Sequence, residues 1–388
     1  MLKKNESSQS PFKKLSRKIS DLTRLHLFVA AGGRCEFCNE NVMMHNLTQT
    51  KGVFAEMAHI VAFKEKGPRG NDGERPEDIN DISNLMLLCP SCHKFIDDNW
   101  RDYSRKTLEH IKEAHEIRIK TVTEIGPEKR SAVLVFTSPI RGQEVSVRKD
   151  HIRQAMFPRY PISSKGTHID LTGLKGSEET HDFLKTAKAL IKRKISLLFD
   201  TDGEVEKAQH LSIFGIGPMV QLMILGAELS NKVPASLYQR HRDTEDWTWK
   251  TEGRLVTYKL TKIKTGGPTA PIVLTLALSG TIPIENLPDA YKENASIYQI
   301  SLDEQTPNTM FLNQKADLEA FKAIYSKTLG LISAEHGLLE TISVFSAVPA
   351  PIAIMCGRER LPKVHPKLRV YDFDHANGGF KFQSIVGD

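Results

Sequence analysis

The sequence predicts a multidomain protein in which a small, zinc-clamped N-terminal unit precedes a larger α/β domain made of two similar halves. Three observations predict this fold class. Two Cys-x-x-Cys pairs lie within the first hundred residues, strand and helix patterns alternate after residue 131, and part of that alternation recurs further along the chain. The length of 388 residues fits two or three domains of ordinary size.

Composition argues against several classes of protein. No apolar run reaches the ~18 residues that a membrane-spanning helix needs, and the basic N-terminus lacks the apolar stretch of a secretory signal. The chain has five cysteines, four of them in two close pairs, which is not typical of a secreted disulfide scaffold. We therefore expect a cytoplasmic protein that has no membrane partner.

Changes in composition predict the domain boundaries. Residues 1–18 are polar and basic and contain a proline, which is typical of a flexible arm. Apolar residues at helical spacing then begin a compact unit at 19–123, and the Gly- and Pro-containing stretch 124–131 is typical of a linker. We expect the α/β domain at 132–388, with halves at about 132–265 and 266–388.

Positive charge is concentrated at the N-terminal end of the chain. Residues 1–34 hold eight of the 53 lysines and arginines but two of the 47 acidic residues, so residues 35–388 carry 45 of each sign. The formal net charge of +6 therefore belongs to the N-terminal end. Such a cluster favours a polyanionic partner, although it also occurs in tails that only aid solubility.

Four cysteines predict a metal site: Cys35, Cys38, Cys89 and Cys92. Each pair can place two thiolates on one ion, and the two pairs together supply the tetrahedral ligand set of a structural zinc ion. The gap between the pairs is longer than in a compact zinc ribbon, so the zinc would hold the base of an inserted structure. Cys356 lies in an apolar helical stretch and is expected in the core.

Histidine and asparagine motifs lie within and beside this cysteine frame. Ala58-His59-Ile60 and Asn84 precede the second cysteine pair, and His93 follows it directly. This arrangement, over about residues 20–120, resembles the HNH endonuclease family, whose ββα-metal fold is a β-hairpin and a helix clamped by zinc. The resemblance implies that His59 is the general base, that Asn84 braces the hairpin loop and the backbone of His59, and that His93 binds a catalytic Mg2+ or Mn2+ ion.

These residue types suit phosphodiester hydrolysis. A neutral imidazole can take a proton from water near neutral pH, and a divalent ion can neutralise the charge that develops on the phosphate. A structural role for His59 and a plain turn role for Asn84 are the alternatives.

One position departs from the family pattern. Many members carry Asp or His immediately before the base as a metal ligand, whereas this chain has Ala58. Asp97 lies four residues after His93, on the same face of a helix, and is the first candidate for a replacement ligand. Glu56 is the second candidate, and an ordinary exposed aspartate is the alternative for Asp97.

The resemblance also implies that the basic arm at 1–18 adjoins a nuclease unit. We expect four of its cations to contact DNA phosphates beside the cut site, which would add affinity and salt dependence without sequence preference. They are Lys13, Lys14, Arg17 and Lys18.

Strand and helix patterns alternate in the second part of the chain, which favours a parallel α/β sheet. The predicted strands include 132–136, 168–173 and 209–216, and the predicted helices include 179–199 and 219–229.

An internal repeat extends this prediction. The segment 211–218 (LSIFGIGP) resembles 342–349 (ISVFSAVP), and each continues to a glycine, Gly226 and Gly357. We predict a duplicated, Rossmann-like sensor with both halves in one chain. Chance similarity between two buried strand–helix units is the alternative.

The repeat, the Phe214-Gly-Ile-Gly-Pro218 turn and the stretch from Tyr238 to Trp249 together resemble the SAVED domain. That domain is a sensor built from two fused halves related to the CARF ligand-binding fold, and the resemblance covers about residues 130–388. It implies that a cyclic di- or oligonucleotide binds to this part of the chain.

Ligand-binding residues are expected at the ends of the strands. Glycine turns there allow close approach to phosphate, tryptophans at i and i+2 of a predicted strand would share a face and stack a base, and an arginine could meet a phosphate. The expected set is Thr172, Gly173, Gly217, Arg240, Trp247, Trp249, Ser279 and Gly280. Core packing for the tryptophans and turn formation for the glycines are the alternatives.

An HNH nuclease joined to SAVED is the layout of effectors in CBASS antiphage defence. The resemblance implies a double-stranded DNA endonuclease that is activated by a cyclic nucleotide from a partner synthase. We expect a homo-oligomer, a dimer at rest and a larger assembly on activation. Two other functions remain open: a modification-dependent restriction enzyme whose C-terminal domain reads altered DNA, and a non-catalytic zinc-stabilised nucleic-acid-binding adaptor.

Overall fold

The chain divides into two compact units in the computed structural model, Met1–Gly126 and Pro127–Asp388. The structure describes residues 18–45, 47–143, 145–174, 180–375 and 378–387. The division falls inside the predicted linker. That linker is shorter than predicted, because Pro127–Lys129 form a 3₁₀ turn and the first strand of the second unit begins at Arg130.

The described part of the first unit contains an antiparallel hairpin and three helices. These elements are α1 (Asp21–Ala30), β1 (Glu56–His59), β2 (Leu85–Leu88), α2 (Pro90–Asp98) and α3 (Arg105–Thr123). The side chains of Ser20 and Ser104 cap the N-termini of α1 and α3. All four residues of β2 are buried, and His59 at the end of β1 pairs with Leu85 at the start of β2. The hairpin followed by α2 is the predicted ββα arrangement.

Helix α1 forms as its apolar spacing predicts, but it buries a different face. Leu22, Leu25 and Val29 have the apolar spacing of one helix face in the sequence, yet they are 59% to 66% exposed. Leu27 is fully buried and Phe28 packs against the same core. Helical spacing therefore identified the element, while the residues that face the core are set by the hairpin beneath it.

The first half of the second unit is a parallel sheet with helices on both faces. Its elements are β3 (Arg130–Thr137), α4 (Lys149–Met156), β4 (Tyr160–Pro161), β5 (Thr167–Asp170), α5 (His181–Leu198), α6 (Glu204–Ala208), β6 (Leu211–Ile216), α7 (Met219–Leu229) and β7 (Ala235–Tyr238). Strand β3 pairs with β6 on one side and with β4 and β5 on the other, and β6 pairs with β7. Helices α5 and α7 pack on one face of this sheet and α4 packs on the other.

The second half is a six-stranded mixed sheet. Its elements are β8 (Tyr258–Lys264), β9 (Ile272–Ala277), α8 (Asp289–Lys292), β10 (Ser296–Leu302), α9 (Lys315–His336), β11 (Thr341–Ala347), α10 (Ala350–Arg358), β12 (Lys367–Phe373) and β13 (Phe380–Val386). The strand order is β13-β12-β11-β9-β10-β8. The four central strands are parallel, and the two edge strands are antiparallel to their neighbours.

The two halves share one strand order, which confirms the predicted duplication. The parallel order β5-β3-β6-β7 of the first half corresponds to β10-β9-β11-β12 of the second. The boundary between the halves, predicted at about 265/266, lies before residue 258 when strand pairing defines it. Strand β8 pairs with β10 and closes the edge of the second sheet, so the second half already includes Tyr258.

The two halves meet through α7 and α10, whose backbones touch at two glycines. A Cβ on Gly226 would lie 1.9 Å from the carbonyl oxygen of Ile354, and a Cβ on Gly357 would lie 2.0 Å from that of Met223. Gly226 and Gly357 occupy corresponding positions of the repeat, as do Met223 and Ile354. The contact is therefore reciprocal, and the repeated glycines are explained by this close approach of two helices.

Replacement of Gly226 by alanine should destabilise the second unit. The added methyl group has no space against the α10 backbone, and overpacking of this kind costs about 3 kcal/mol. Gly330 in α9 is the matched control, because nothing lies within 4 Å of its Cβ position and alanine there should add up to ~1 kcal/mol through helix propensity. Calorimetric unfolding of Gly226→Ala and Gly330→Ala tests this; equal melting temperatures would contradict the contact.

Candidate functional site

The four predicted cysteines converge from two distant parts of the chain. Their sulfurs all lie within 4.8 Å of one another, and the Sγ atoms of Cys38 and Cys89 are 3.9 Å apart. Sulfurs around a tetrahedral zinc ion with ~2.3 Å bonds are ~3.8 Å apart, so the cluster fits a structural zinc ion. Within the described ranges this is the one group of three or more candidate ligands that converges on a point. It joins the loop after α1 to the N-terminus of α2.

His59 lies at the end of β1, half-buried, and has one polar partner from the following loop. Its Nε2 atom donates a hydrogen bond to Oδ1 of Asn80 at 2.9 Å, because a carboxamide oxygen can only accept. This contact requires a proton on Nε2, and in the neutral ring it leaves on Nδ1 the lone pair that a general base needs. Asn80 did not emerge from the sequence analysis; it lies in a loop without periodicity.

Asn84 is buried and braces the loop that follows β1. Its Oδ1 accepts from the N–H of Val61 at 2.8 Å, and its Nδ2 donates to the carbonyl oxygens of Val61 at 3.1 Å and Ile79 at 2.9 Å. The predicted contact with the backbone of His59 is displaced by two residues. His59 is instead held by its pairing with Leu85 in the hairpin.

His93, in the first turn of α2, lies between two carboxylates. Its Nδ1 is 2.5 Å from Oε2 of Glu56, and its Nε2 is 3.4 Å from Oδ2 of Asp97. Hydrogen bonding to Asp97, reinforced by Glu56, raises the pKa of His93 to about 9 despite partial burial. Glu56 stands on the same face of β1 as Ala58, because alternate residues of a strand share a face. Glu56 and Asp97, the two candidates for the replacement ligand, both contact His93.

One imidazole and two carboxylates are suitable donors for a divalent cation. They do not converge on one point in this structure, because Glu56 and Asp97 approach opposite nitrogens of the ring. A cation at His93 would take the place of the proton that the ring shares with one of the carboxylates.

Arg69 connects the surroundings of His59 with those of His93, and sequence reasoning missed it. Its Nε donates to the carbonyl oxygen of Ile60 at 2.8 Å, and its Nη2 donates to Oδ1 of Asp97 at 3.2 Å. The residue is 5% exposed. Arg69 therefore ties the loop after His59 to the helix that carries His93. A buried arginine in a Gly- and Pro-rich loop gives no periodic signal that could have revealed it.

A separate cavity of about 430 Å³ opens at the carboxyl ends of the central strands in the second unit. It is lined by the turns that follow β3, β6, β7, β9 and β11. The strand connections of each half diverge to opposite sides of its first central strand, β3 or β9, and such switch points are where open α/β sheets bind ligands. Its volume lies within the range of small-molecule sites. Three of the predicted ligand-binding residues, Gly217, Arg240 and Ser279, line it.

The wall of this cavity contains polar atoms with no partner among the described residues. Oε1 of Gln239 and Nε2 of His241 are buried and lack a hydrogen bond there. Burial lowers the pKa of His241, so its ring is neutral near pH 7 and can donate or accept. Unpaired buried polar groups are costly, and they indicate a surface that a polar ligand completes.

The other predicted ligand-binding residues do not line the cavity. Thr172 and Gly173 follow β5, where the Thr172 hydroxyl donates to Asp170. Gly280 lies next to Ser279 but is not part of the lining. These three residues occupy strand-end turns, as predicted, but they are not part of the cavity lining.

The two tryptophans do not lie on a strand, contrary to the expectation from their spacing. Residues 239–257 contain no strand, so Trp247 and Trp249 do not share a strand face. Trp247 is 2% exposed and packs edge-on against Phe214. Trp249 donates from its indole to the carbonyl oxygen of Leu237 and packs edge-on against His241. Core packing therefore accounts for Trp247, and Trp249 supports a residue of the cavity wall.

Of the four cations predicted to contact DNA, one is described. Lys18 is exposed and lies in the short segment before α1, whereas Lys13, Lys14 and Arg17 lie outside the described residues. None of the helices that the structure describes has the length and apolar character needed to cross a membrane.

Comparison with known proteins gives two family matches. The model of the HNH endonuclease family matches residues 35–100. The model of the SAVED family, the SMODS-associated sensor domain that is fused to various effectors, matches residues 195–384. No curated protein matches the sequence.

Solved structures similar to this chain are Cap4 SAVED/CARF-domain containing receptors. The receptor of Acinetobacter baumannii with the cyclic trinucleotide 2′3′3′-cAAA is 14% identical, with a TM-score of 0.43, over 79% of this chain and 64% of that one. The receptor of Moraxella osloensis is 16% identical, with a TM-score of 0.36, over 76% of this chain and 60% of that one. The chain thus spans less than two thirds of the length of these receptors.

The fold and the family matches define a two-part protein, in which a zinc-framed ββα unit precedes a duplicated α/β sensor unit. The chain joins a domain that matches the HNH endonuclease family to a domain that matches the SAVED family.

Proposed function

We propose that this protein is a metal-dependent endonuclease for double-stranded DNA that a cyclic oligonucleotide switches on, and that it acts as an effector in CBASS antiphage defence. One observation carries the proposal. A single chain holds both an imidazole with an available lone pair inside a zinc-framed ββα unit and a preformed cavity with unsatisfied polar atoms at the switch points of a duplicated sheet.

The residues of the first unit would act as follows. Nδ1 of His59 takes a proton from the attacking water, and Asn80 holds the ring in the tautomer that leaves Nδ1 available. Asn84 keeps the following loop in place. A Mg2+ or Mn2+ ion bound through His93 with Glu56 or Asp97 would neutralise charge on the phosphate and assist departure of the leaving oxygen.

The residues of the second unit would read the signal. Arg240 and Arg242 both line the cavity and supply positive charge for the phosphates of a cyclic oligonucleotide. The unpaired atoms of Gln239 and His241 can form hydrogen bonds with a base. This combination of cations and neutral polar groups in one cavity supports a nucleotide as the ligand.

Plasmid cleavage with Mg2+, with and without a panel of cyclic di- and trinucleotides, tests the proposal. We expect cleavage with one or a few members of the panel and little without them. Arg240→Gln should raise the ligand concentration needed for half-activation about tenfold, because a charge-assisted hydrogen bond contributes about 1.5–3 kcal/mol. Equal cleavage without any ligand would contradict gating. Cleavage confined to methylated plasmid would indicate a modification-dependent restriction enzyme instead.

Activation is expected to involve assembly of several copies, since one small nuclease unit makes few phosphate contacts. Light scattering with and without the activating ligand measures this step. Full activation at unchanged mass would contradict it.

A further inference from the structure

A second cavity lies within the first unit, beside the proposed catalytic residues. It has a volume of about 620 Å³ and is lined by the loop 65–72 together with Trp100, Arg101 and Ser104. Arg69 forms part of its wall and also contacts the carbonyl oxygen of Ile60, next to His59, and the carboxylate of Asp97. Arg69 therefore links the wall of the cavity to the loop after His59 and to the helix that carries His93.

Three cations border the cavity, and one of them, Arg69, is paired with Asp97. Lys66 and Arg101 are exposed, and neither has a carboxylate within ion-pair distance among the described residues. Two carboxylates also border the cavity, Glu65 and Asp72, and the latter already accepts from the backbone N–H of Arg105. The side chains that remain available for a ligand are mainly donors.

Arg101 and Arg69 are positioned before any ligand arrives. The Arg101 guanidinium carbon lies 5.2 Å from the ring centroid of Trp100, and this cation–π contact restricts the side chain at the rim. Trp100 is 43% exposed although it is large and apolar. The Arg69 side chain is almost fully buried, and its Nη1 has no hydrogen-bond partner among the described residues. An anionic oxygen could satisfy that donor.

The loop that forms the wall is held in one conformation by backbone contacts. Arg75 donates to the carbonyl oxygens of Gly70 and Phe63, both at 3.0 Å. A Cβ on Gly70 would lie 2.2 Å from the carbonyl oxygen of Glu65, so two backbone segments of the loop are in contact at this glycine. A loop packed this tightly loses little conformational entropy when a ligand binds.

We infer that this cavity is a subsite for the DNA backbone that flanks the cut phosphate, with Lys66 and Arg101 on phosphates and Trp100 as the positioning residue for Arg101. The subsite rests on the proposed function insofar as DNA is the substrate. It would also give Arg69 a second role, because a phosphate at Nη1 would be linked through Nη2 to Asp97 and thus to His93. Such contacts position the duplex without reading its sequence.

Salt-dependent binding of a fluorescent 30-base-pair duplex measures the subsite without relying on cleavage. The full chain is used in a His59→Ala background without added divalent ion, so that the DNA stays intact. Lys66→Gln/Arg101→Gln should weaken binding about tenfold and lower the slope of log K against log salt by about 2. Trp100→Leu should reproduce part of the loss. Lys51→Gln, an exposed lysine of the same unit outside the cavity, is the matched control.

The subsite would be overturned if Lys66→Gln/Arg101→Gln bound duplex DNA with the affinity and salt slope of the control. It would also be overturned if the change in binding occurred with duplex RNA and not with duplex DNA. The outcome is separate from that of the nuclease proposal. A chain that never cleaves but shows the lowered slope would retain the subsite and lose the nuclease assignment. If the protein cleaves DNA while Lys66→Gln/Arg101→Gln and Trp100→Leu bind like Lys51→Gln, the nuclease assignment is retained and the subsite is lost.

Discussion

Loss of the zinc ligands should unfold the first unit and leave the second unit folded. The described part of the first unit rests on one small core and a hairpin of four residues per strand, and Cys38 and Cys89 are separated by 51 residues of chain. An ion that joins them closes this loop, and structural zinc sites contribute about 10–16 kcal/mol to folding. Cys92→Ser should therefore abolish the unfolding transition of the first unit.

Calorimetry of the full chain, together with zinc content, tests this expectation. We expect two transitions in the unsubstituted protein and loss of one of them in Cys92→Ser, with zinc no longer bound. Cys356→Ala is the crossed control, because Cys356 is buried in α10 of the second unit and is not a ligand. It should lower the other transition while zinc stays bound. A complete set of transitions in Cys92→Ser would show that the metal is not needed for folding.

The parts of the fold that sequence could predict are those with short-range signals. The Cys-x-x-Cys spacing places two thiolates together whatever the rest of the chain does. The repeat was visible because Gly226 and Gly357 are required by one contact that the two halves share, and because buried parallel strands form continuous apolar runs. Both signals come from residues whose partners are fixed by local geometry.

The parts that sequence could not predict depend on contacts between distant residues. Trp247 and Trp249 alternate as in a strand, yet the segment is irregular because Trp247 is drawn into the core beside Phe214. Asn80 and Arg69 lie in a loop, and their partners His59 and Asp97 are 21 and 28 residues away. No periodicity marks such residues. They become visible only when the hairpin and α2 are placed together.

The cavity of the second unit contains residues of both kinds, those that the sequence predicted and those that it did not. Gly217 and Ser279 were predicted from their positions at strand ends, and strand ends do line the cavity. Gln239 and His241 were not predicted, because only the fold shows that their polar atoms are buried without a partner. Strand-end position therefore located the cavity, while buried polar atoms without a hydrogen bond identified the groups available to a ligand.

Removal of the His59 imidazole should reduce activated DNA cleavage about 10³-fold, with binding of the duplex unchanged. General-base catalysis contributes about 10²–10⁴ to rate, and His59 is half-buried beside Asn80 rather than part of the core. His59→Ala should therefore lower kcat and leave KM and the melting temperature near their original values. Single-turnover cleavage with saturating cyclic nucleotide measures the rate, and fluorescence anisotropy measures binding.

Two further variants separate catalysis from structure. Asn80→Ala should lower kcat about 10–100-fold, the usual effect of losing a residue that orients a functional histidine, because the His59 ring would no longer be held in the tautomer with its lone pair on Nδ1. His110→Ala removes an exposed histidine of α3 in the same unit and should leave the rate unchanged. If His59→Ala cleaves at the original rate, His59 is not the base. If neither the original protein nor any variant cleaves while all bind DNA, the first unit is a zinc-stabilised adaptor, since its contacts would then serve binding alone.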